Sequence, residues 1–436
     1  MNWREKYSDR IVSMEQAVTL IHSGDTVTAN FGASIPYAFL DALADYAREH
    51  LEGVTLYLAG FYKETLIGRK EYNPHVTVKS SFFGPWERRA QASGSDLAYQ
   101  VMHLSNISFD RLGKHVPDVI LAAGSEPDEN GLISLGVAPF DLKLLDVCRK
   151  VIVQVNRKVP YISGHLCTIP AERVTCLVPC DEDMPEMRMP VPTPEQRAIA
   201  GYIAERIPDG ACVQFGIGGI AAAIGEGLMC RKDLSCYSEM FTEPIMKLMQ
   251  AGVINNSHST LFPGKTVFTN ALGTAEMYAY MDHNPHIEAL PTSWLNDPRN
   301  IARNDGMISV NGAFCTDLMG AVSAENIGFR QFSGTGGQLD YVRGARWSRG
   351  GKSFIAFPST HKEKDGTVVS NITLTLPLGS VVTTPRADTH FIVTEYGAAD
   401  LLDEPVDVRA KRLIEIAHPD FRDQLSFEAK KAGYIV

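Results

Sequence analysis

Short hydrophobic runs alternate along the chain with amphipathic stretches. The runs are rich in β-branched residues and bounded by Gly or Pro, a pattern typical of strands buried on both faces of a parallel sheet. We predict such strands beginning at Val54, Asp118, Lys150, Leu234, Met307, Phe354 and His390. Hydrophobic positions at helical spacing predict helices at Met14–His22, Tyr37–His50, Glu195–Arg206 and Glu243–Gln250, and a helical stretch after Asp400. The alternation predicts an α/β fold.

A proline-rich stretch divides the chain. Its prolines are Pro179, Pro185, Pro190, Pro192 and Pro194. So many prolines cannot continue a helix or a central strand. We therefore predict an N-terminal α/β domain over 1–183, a linker over 184–194 and a C-terminal α/β domain over 195–436. A long loop within a single domain is the alternative.

The two halves carry a faint repeat, which supports two tandem open α/β domains. A shift of 184 residues (209 − 25) aligns Asp25 with Asp209, Phe31 with Phe215, Gly32 with Gly216 and Ala38 with Ala222. Each copy has the order strand, glycine-containing turn, helix, strand, which is the building block of a parallel sheet. In open α/β sheets ligands bind at the carboxyl ends of the strands, so we expect the functional residues there.

Charge and cysteine usage narrow the function classes. The chain has 436 residues, with 41 Lys and Arg against 51 Asp and Glu, a net charge of −10. A net negative charge disfavours binding to nucleic acids or anionic membranes, so any anion must be bound by local groups. The eight cysteines form no CxxC pair, and His283 and His286 lack metal-ligand spacing, so we predict buried thiols in a reducing cytoplasm and no metal site. Without a signal-like apolar stretch or a membrane-spanning run, a soluble cytoplasmic protein is expected.

The first candidate for chemistry is a glycine turn between a strand and a helix. It comprises Gly216, Ile217, Gly218, Gly219 and Ile220. Glycines allow a ligand to approach the backbone, and the N–H groups at a helix start can bind phosphate or carboxylate. The run also fits the dinucleotide pattern GxGxxA, and a turn that only packs a helix on a sheet is the plain alternative.

Glu239, at the end of the strand from Leu234, is the second candidate. It follows Gly216 by 23 residues (239 − 216), a spacing at which dinucleotide-binding domains hold a ribose. A carboxylate at a strand end beside a glycine turn is equally suited to act as a nucleophile. An ordinary solvated glutamate is the third possibility, and position alone does not separate the three.

Further candidates lie in the same half. The turn Gly334-Thr335-Gly336-Gly337-Gln338 offers N–H groups that could stabilise an oxyanion. Asn311 offers an amide for the same purpose, or a simple turn cap. Lys352, beside two glycines, is a candidate phosphate contact, with a solvated lysine as the alternative.

Together these motifs resemble the acetyl-CoA hydrolase/transferase family of class I CoA-transferases over nearly the whole chain. The resemblance is strongest to 4-hydroxybutyrate and butyrate:acetate CoA-transferases. The shared motifs are GIGGI at 216–220, SEMFTE at 238–243, SVNGAF at 309–314, GTGGQLDYVRGA at 334–345, GGKSFIAFPST at 350–360 and VTEYGAADL at 393–401. One departure is Glu243, where the family often has Asp. The resemblance implies two domains of the NagB/RPIA/CoA-transferase type.

The same resemblance implies the roles of individual residues. Glu239 would be the nucleophile, and Asn311 with the amide of Gly336 or Gly337 would stabilise oxyanions. CoA would contact 216–220, Phe314 and Gly337. Coenzyme A or acyl-CoA would be a substrate, with no tightly bound cofactor, and a homodimer is expected by default.

The sequence therefore predicts a CoA-transferase that acts on short-chain acyl-CoA and a carboxylate such as acetate, by a ping-pong mechanism through a glutamyl-CoA thioester. Acyl-CoA hydrolysis is the alternative within the family. From other classes, a dinucleotide-dependent oxidoreductase and a non-catalytic ligand-binding module remain open.

Overall fold

The structure is a computed structural model and describes residues 2–436. The strands are β1 (Thr26–Ala29), β2 (Val54–Leu58), β3 (Val76–Ser80), β4 (Ala98–Tyr99), β5 (Val119–Gly124), β6 (Leu132–Ser134), β7 (Lys150–Val155), β8 (Thr168–Pro170), β9 (Cys176–Pro179), β10 (Cys212–Phe215), β11 (Ser235–Phe241), β12 (Thr266–Ala271), β13 (Ile287–Ala289), β14 (Met307–Gly312), β15 (Cys315–Asp317), β16 (Val322–Ser323), β17 (Asn326–Ile327), β18 (Arg330–Gln331), β19 (Lys352–Ala356), β20 (Thr360–Lys362), β21 (Val368–Ser370), β22 (Ile372–Thr373), β23 (Phe391–Thr394) and β24 (Gly397–Asp400).

Helices separate most of the long strands. They are α1 (Trp3–Lys6), α2 (Met14–Val18), α3 (Tyr37–His50), α4 (Pro85–Ala92), α5 (Ile107–Gly113), α6 (Pro194–Ala204), α7 (Gly219–Gly227), α8 (Glu243–Gln250), α9 (Ala275–Met281), α10 (Thr292–Leu295), α11 (Pro298–Ile301), α12 (Gln338–Trp347), α13 (Val406–Glu415) and α14 (Pro419–Lys431).

The predicted α/β fold is confirmed, and strands occur at all seven predicted places. The helices at 37–50 and 243–250 have the predicted bounds, and the stretch after Asp400 contains α13 and α14. One helix is shorter than predicted, because α2 ends at Val18 rather than at His22. The hydroxyl of Thr19 donates to the carbonyl oxygen of Gln16 at 2.7 Å, a local bond that ends the helix.

The chain forms two compact units. The first runs to Arg188 and includes Val267–Leu295, and the second comprises Met189–Thr266 and Asn296–Val436. The change of unit at Arg188 falls within the proline-rich stretch, which between β9 and α6 contains no helix or strand. Among residues 2–436, no helix is both long and apolar enough to cross a membrane.

The first unit has a sheet in the order β4-β3-β2-β1-β5-β7-β9, in which all neighbouring strands are parallel. Strands β5 and β7 are buried almost throughout, which explains why their sequences are continuous hydrophobic runs rather than alternating ones.

The second unit repeats this arrangement. Its strands follow the order β11-β10-β14-β19-β23-β24, parallel from β11 to β23, with β24 antiparallel at the edge. The chain moves from β10 to β11 on one side and later places β14 on the other side of β10. A topological switch point of this kind leaves a crevice at the carboxyl ends of the strands, which is where ligands bind in open α/β sheets.

Candidate active site

Three predicted residues come to one level of the second sheet, at its switch point. The register pairs Val213 of β10 with Cys236 of β11, and Phe215 of β10 with Val310 of β14. When both registers are continued, Gly216 lies between Glu239 on one side and Asn311 on the other. Neighbouring strands are about 4.8 Å apart, so the Cα atoms of Glu239 and Asn311 are roughly 10 Å apart. Residues at the same level of a parallel sheet point to the same face, so both side chains share one face.

Glu239 has a defined environment although part of its surface stays accessible. The Nδ2 group of Asn296 donates a hydrogen bond to its Oε2 atom at 2.7 Å, and the backbone N–H of Gly337 donates to the same carboxylate. Burial raises the pKa of the Glu239 carboxyl to about 7, while the two hydrogen bonds act in the opposite direction. At neutral pH a large fraction of Glu239 is therefore ionised, in surroundings that stabilise its charge poorly.

Gly337 needs to be glycine because of space, not because of its backbone angles. Its φ is −99° and its ψ is 9°, which other residues can adopt. A Cβ atom at this position would lie 1.9 Å from Oε2 of Glu239 and 2.2 Å from Nδ2 of Asn296. Gly337 also precedes the first turn of α12, whose dipole favours a negative charge at its N-terminus. The turn and the carboxylate are thus packed directly against each other.

A buried glutamine, Gln338, links the glycine turn at 334–337 to the end of β14, where Asn311 lies. Gln338 donates from Nε2 to the carbonyl oxygen of Gly312 at 2.7 Å, and its Oε1 accepts from the hydroxyl of Thr384 at 3.0 Å. The amide of Asn311 itself is partly exposed and donates to the Ser309 hydroxyl at 3.3 Å. This bond is long, so a better acceptor could take the amide at little cost.

A buried carboxylate anchors the segment that leads into the 334–337 turn. Glu325 accepts from the hydroxyl groups of Thr335 at 2.9 Å and Thr383 at 3.2 Å. Its carbonyl oxygen accepts from the N–H groups of Phe332 and Ser333. Glu325 therefore fixes the turn by backbone contacts just before its first glycine and by a side-chain contact at Thr335, between its glycines.

The glycine turn at 216–220 leads into α7. Gly216 and Gly218 face open space, and Gly218 has a φ of 102°, a conformation that glycine adopts readily. Ile217 is 49% exposed. Gly219 is different, because a Cβ atom there would lie 2.0 Å from Oε1 of Gln196 on α6. Gly219 therefore packs closely against α6, whereas Gly216 and Gly218 leave room for a ligand beside the backbone.

Phe314 lies just past β14, and its ring meets the ring of Phe332 edge to face at 5.1 Å. Lys352, by contrast, is not brought to this edge. It begins β19 and pairs with Ile308, three residues before Asn311, so it lies toward the amino end of the parallel strands. Its ammonium group donates to the carbonyl oxygen of Arg206 at 3.1 Å. The phosphate contact predicted for Lys352 has no support from this position.

Other reactive groups near Glu239 do not compete with it. The Cys236 thiol is buried, and burial raises its pKa well above the usual range, so little thiolate forms. In the described part of the chain, no group of three or more His, Cys, Asp and Glu side chains is arranged to hold a metal ion.

Sequence reasoning missed one residue that borders the site, Asn296, and gave another, Gln338, no role of its own. Asn296 lies between α10 and α11 in an Asn-Asp-Pro run, which indicates a helix start, and Asp297 does cap α11. Gln338 is the first residue of α12 and resembles any polar helix-start residue. The signal for Gln338 was its place at the end of the predicted glycine turn, and no sequence signal pointed to Asn296.

Comparison with known proteins gives a consistent result across the chain. Residues 1–190 match the model of the acetyl-CoA hydrolase/transferase N-terminal domain, and residues 273–429 match that of the C-terminal domain. The chain is 37% identical to succinyl-CoA:cyclohexane-1-carboxylate CoA transferase of Geobacter metallireducens, covering 100% of this chain and 98% of the relative. It is 36% identical to 4-hydroxybutyrate coenzyme A transferase of Clostridium kluyveri, over 99% and 100%. The crystal structure of RipA from Yersinia pestis superposes with a TM-score of 0.92 at 35% identity over the full length of both chains.

Proposed function

Since the chain belongs to the acetyl-CoA hydrolase/transferase family as a CoA-transferase, we propose that it moves CoA between a short-chain acyl-CoA and a carboxylic acid through a thioester on Glu239. Candidate acyl groups are 4-hydroxybutyryl, butyryl and acetyl, and acetate is a candidate acceptor. The observation that carries the proposal is the Glu239 carboxylate, held on one oxygen by Asn296 and packed against Gly337 at the carboxyl edge of the sheet.

The reaction begins when the free oxygen of Glu239 attacks the thioester carbonyl carbon. The C–S bond breaks, CoA leaves as a thiolate, and an acyl-glutamyl anhydride forms. The thiolate then attacks the glutamyl carbon, and the first acid leaves as a carboxylate. A second acid reverses these steps and leaves as a new acyl-CoA. No net proton transfer and no redox change is needed.

Each of these steps passes through an oxyanion. Asn311 lies at the level of Glu239 on the same face, and its weak bond to Ser309 leaves its amide able to donate to the acyl oxyanion. The Gly336 and Gly337 amides are the other proposed donors. For CoA we propose contacts at 216–220, near Phe314 and at Gly337. Lys352 is left out of this set, because its ammonium group donates to the carbonyl oxygen of Arg206.

The first test is chemical. Incubation with acyl-CoA alone should increase the mass of the protein by that of bound CoA, and peptide mapping should locate the adduct at Glu239. Steady-state kinetics with two substrates should give parallel double-reciprocal plots, as a shared covalent intermediate requires. An adduct on Cys236, or intersecting plots without isotope exchange between acyl-CoA and its acid, would contradict the proposal.

Hydrolysis is the second candidate, because Glu239 keeps accessible surface through which water could reach a glutamyl thioester. The two functions are separated by a product-resolved assay with butyryl-, acetyl- and 4-hydroxybutyryl-CoA against a panel of acids. A transferase forms new acyl-CoA in proportion to the CoA ester consumed, whereas a hydrolase releases free CoA regardless of the acid present.

A further inference from the structure

The two oxygens of the Glu239 carboxylate have different surroundings. Oε2 accepts the 2.7 Å bond from Asn296 and lies against Gly337. Asn296 is 0% exposed, and its own Oδ1 atom is buried without a hydrogen-bond partner among the described residues. A buried carbonyl oxygen without a hydrogen-bond partner costs stability, so the fold keeps Asn296 in this position at the expense of one unsatisfied acceptor.

The amide orientation follows from chemistry. An ionised carboxylate only accepts hydrogen bonds, so the NH₂ group of Asn296 must face Glu239 and the carbonyl must point away. Asn304 provides a comparison in the same unit, since its Oδ1 is also buried without a partner. Its Nδ2, however, donates to the carbonyl oxygens of Asn300 and Ile301, so it serves the end of a helix. The amide of Asn296 is directed instead at the predicted nucleophile.

We propose that Asn296 is a catalytic residue that stabilises the oxyanion formed on Glu239 itself, separately from the acyl oxyanion assigned to Asn311. This inference rests on the proposed function, since it assigns a donor to one step of that reaction.

The step involves the glutamyl carbon, Cδ, of the anhydride. The CoA thiolate attacks Cδ, a C–S bond forms, and the electron pair of the Cδ–Oε2 double bond moves onto Oε2. The Cδ–Oε1 bond then breaks, the acid leaves with Oε1 and the bonding electron pair, and the double bond to Oε2 re-forms. When the second acid attacks the thioester, Oε2 again takes the charge and the thiolate leaves.

Oε2 thus carries a full negative charge in the tetrahedral state but only a shared charge in the carboxylate. A fixed donor 2.7 Å away binds the tetrahedral state more strongly than the ground state, which is the requirement for catalysis. Because Asn296 is already in place, no reorganisation is needed when the charge develops.

The test isolates attack at Cδ. The enzyme–CoA thioester is formed by incubation with acetyl-CoA alone, small molecules are removed, and hydroxylamine is added while the intact protein mass is followed. Hydroxylamine attacks Cδ of the glutamyl thioester and releases CoA. This reaction passes only through the oxyanion on Oε2, because no acyl group is present. The variants are Asn296→Ala and Asn296→Leu. Leucine nearly keeps the shape of the asparagine side chain but has no N–H group to donate. Asn311→Ala serves as the comparison and Asn304→Ala as the matched control for loss of a buried asparagine.

We expect the thioester of both Asn296 variants to react about 100-fold more slowly than that of the wild type, the usual effect of losing one oxyanion donor. Asn311→Ala and Asn304→Ala should stay within about threefold of the wild type. Formation of the enzyme–CoA thioester passes through the same oxyanion. The inference is therefore also supported if a folded Asn296 variant forms no thioester within the time in which Asn311→Ala forms it.

A normal rate of thioester loss in a folded Asn296 variant would overturn the inference, as would an equal loss of rate in Asn311→Ala. If Asn296→Ala does not fold, Asn296→Leu carries the same comparison. A wild-type protein that forms no thioester would instead refute the proposed function, so the two failures are distinguishable.

Discussion

Gly337→Ala tests whether the position of the Glu239 carboxylate governs the reaction. The added Cβ would lie 1.9 Å from Oε2 of Glu239, whereas real contacts of this kind stay above 3.0 Å. The carboxylate must therefore move by at least 1.1 Å (3.0 − 1.9) or the turn must move away from it. A misplacement of about 1 Å costs roughly 100-fold in rate, so we expect kcat to fall by about that factor or more.

The fold should survive this substitution, because the backbone angles of Gly337 are open to other residues. The matched control is Gly201→Ala in α6, where an added Cβ has nothing within 4 Å. Alanine there should keep full activity and stabilise the helix by up to about 1 kcal/mol. The assay is CoA transfer from butyryl-CoA to acetate, with thermal unfolding of both variants measured alongside.

The pH profile provides an independent readout of Gly337→Ala. Displacement of the carboxylate weakens the bonds from Asn296 and Gly337, and both bonds lower the pKa of Glu239. The acidic limb of kcat/KM should therefore move to higher pH. A folded variant with kcat within about threefold of the wild type and an unmoved acidic limb would refute the argument.

Three other expectations follow from the same residues. The proposed reaction requires an ionised Glu239, whose pKa is about 7, so kcat/KM in the wild type should fall about tenfold per unit as pH drops below that value. A level profile down to about pH 5 would contradict this. The pKa of the folded carboxyl is raised from 4.5, so its contribution to stability is present at low pH and is lost as pH rises to about 7. Glu239→Gln should accordingly raise the melting temperature relative to wild type at pH 8, with the difference shrinking toward pH 4.5, and an equal difference at both pH values would show another cause. Thr335→Val removes the hydroxyl that donates to Glu325 and should lower kcat about tenfold with KM little changed, whereas Thr335→Ser should keep activity. Thr389→Val is the control, because it removes a buried hydroxyl that donates to Gly320 instead.

The residues predicted from sequence share a local signal. Gly216 directly follows β10, and Glu239 and Asn311 lie near the carboxyl ends of β11 and β14. The carboxyl ends of parallel strands meet at one edge of a sheet. The chain order of strands and glycine turns is therefore enough to bring them together. Lys352 shows the limit of this reasoning, because neighbouring glycines indicated a phosphate contact while its place at the start of a strand put it toward the other edge.

Contacts that depend on tertiary packing were not predictable in this way. Asn296 reaches Glu239 across 57 residues of sequence from a turn between two short helices, where no periodicity operates. The inclusion of Val267–Leu295 in the first unit is likewise invisible to composition, since that segment follows strands of the second unit along the chain. The placement of this segment depends on its tertiary contacts, and a hydrophobic pattern does not specify which residues a segment contacts.

The order of the active-site segments along the chain has a consequence during synthesis. Glu239 is translated 98 residues (337 − 239) before Gly337, and Asn296 and Asn311 emerge in between. At about 5–20 residues per second, roughly 5 to 20 s separate the synthesis of Glu239, the proposed nucleophile, from that of Gly337. Until then the carboxylate lacks the glycine turn against which it packs in the folded protein. A chain that ends before Gly337 therefore carries the proposed nucleophile without the last of the groups that surround it.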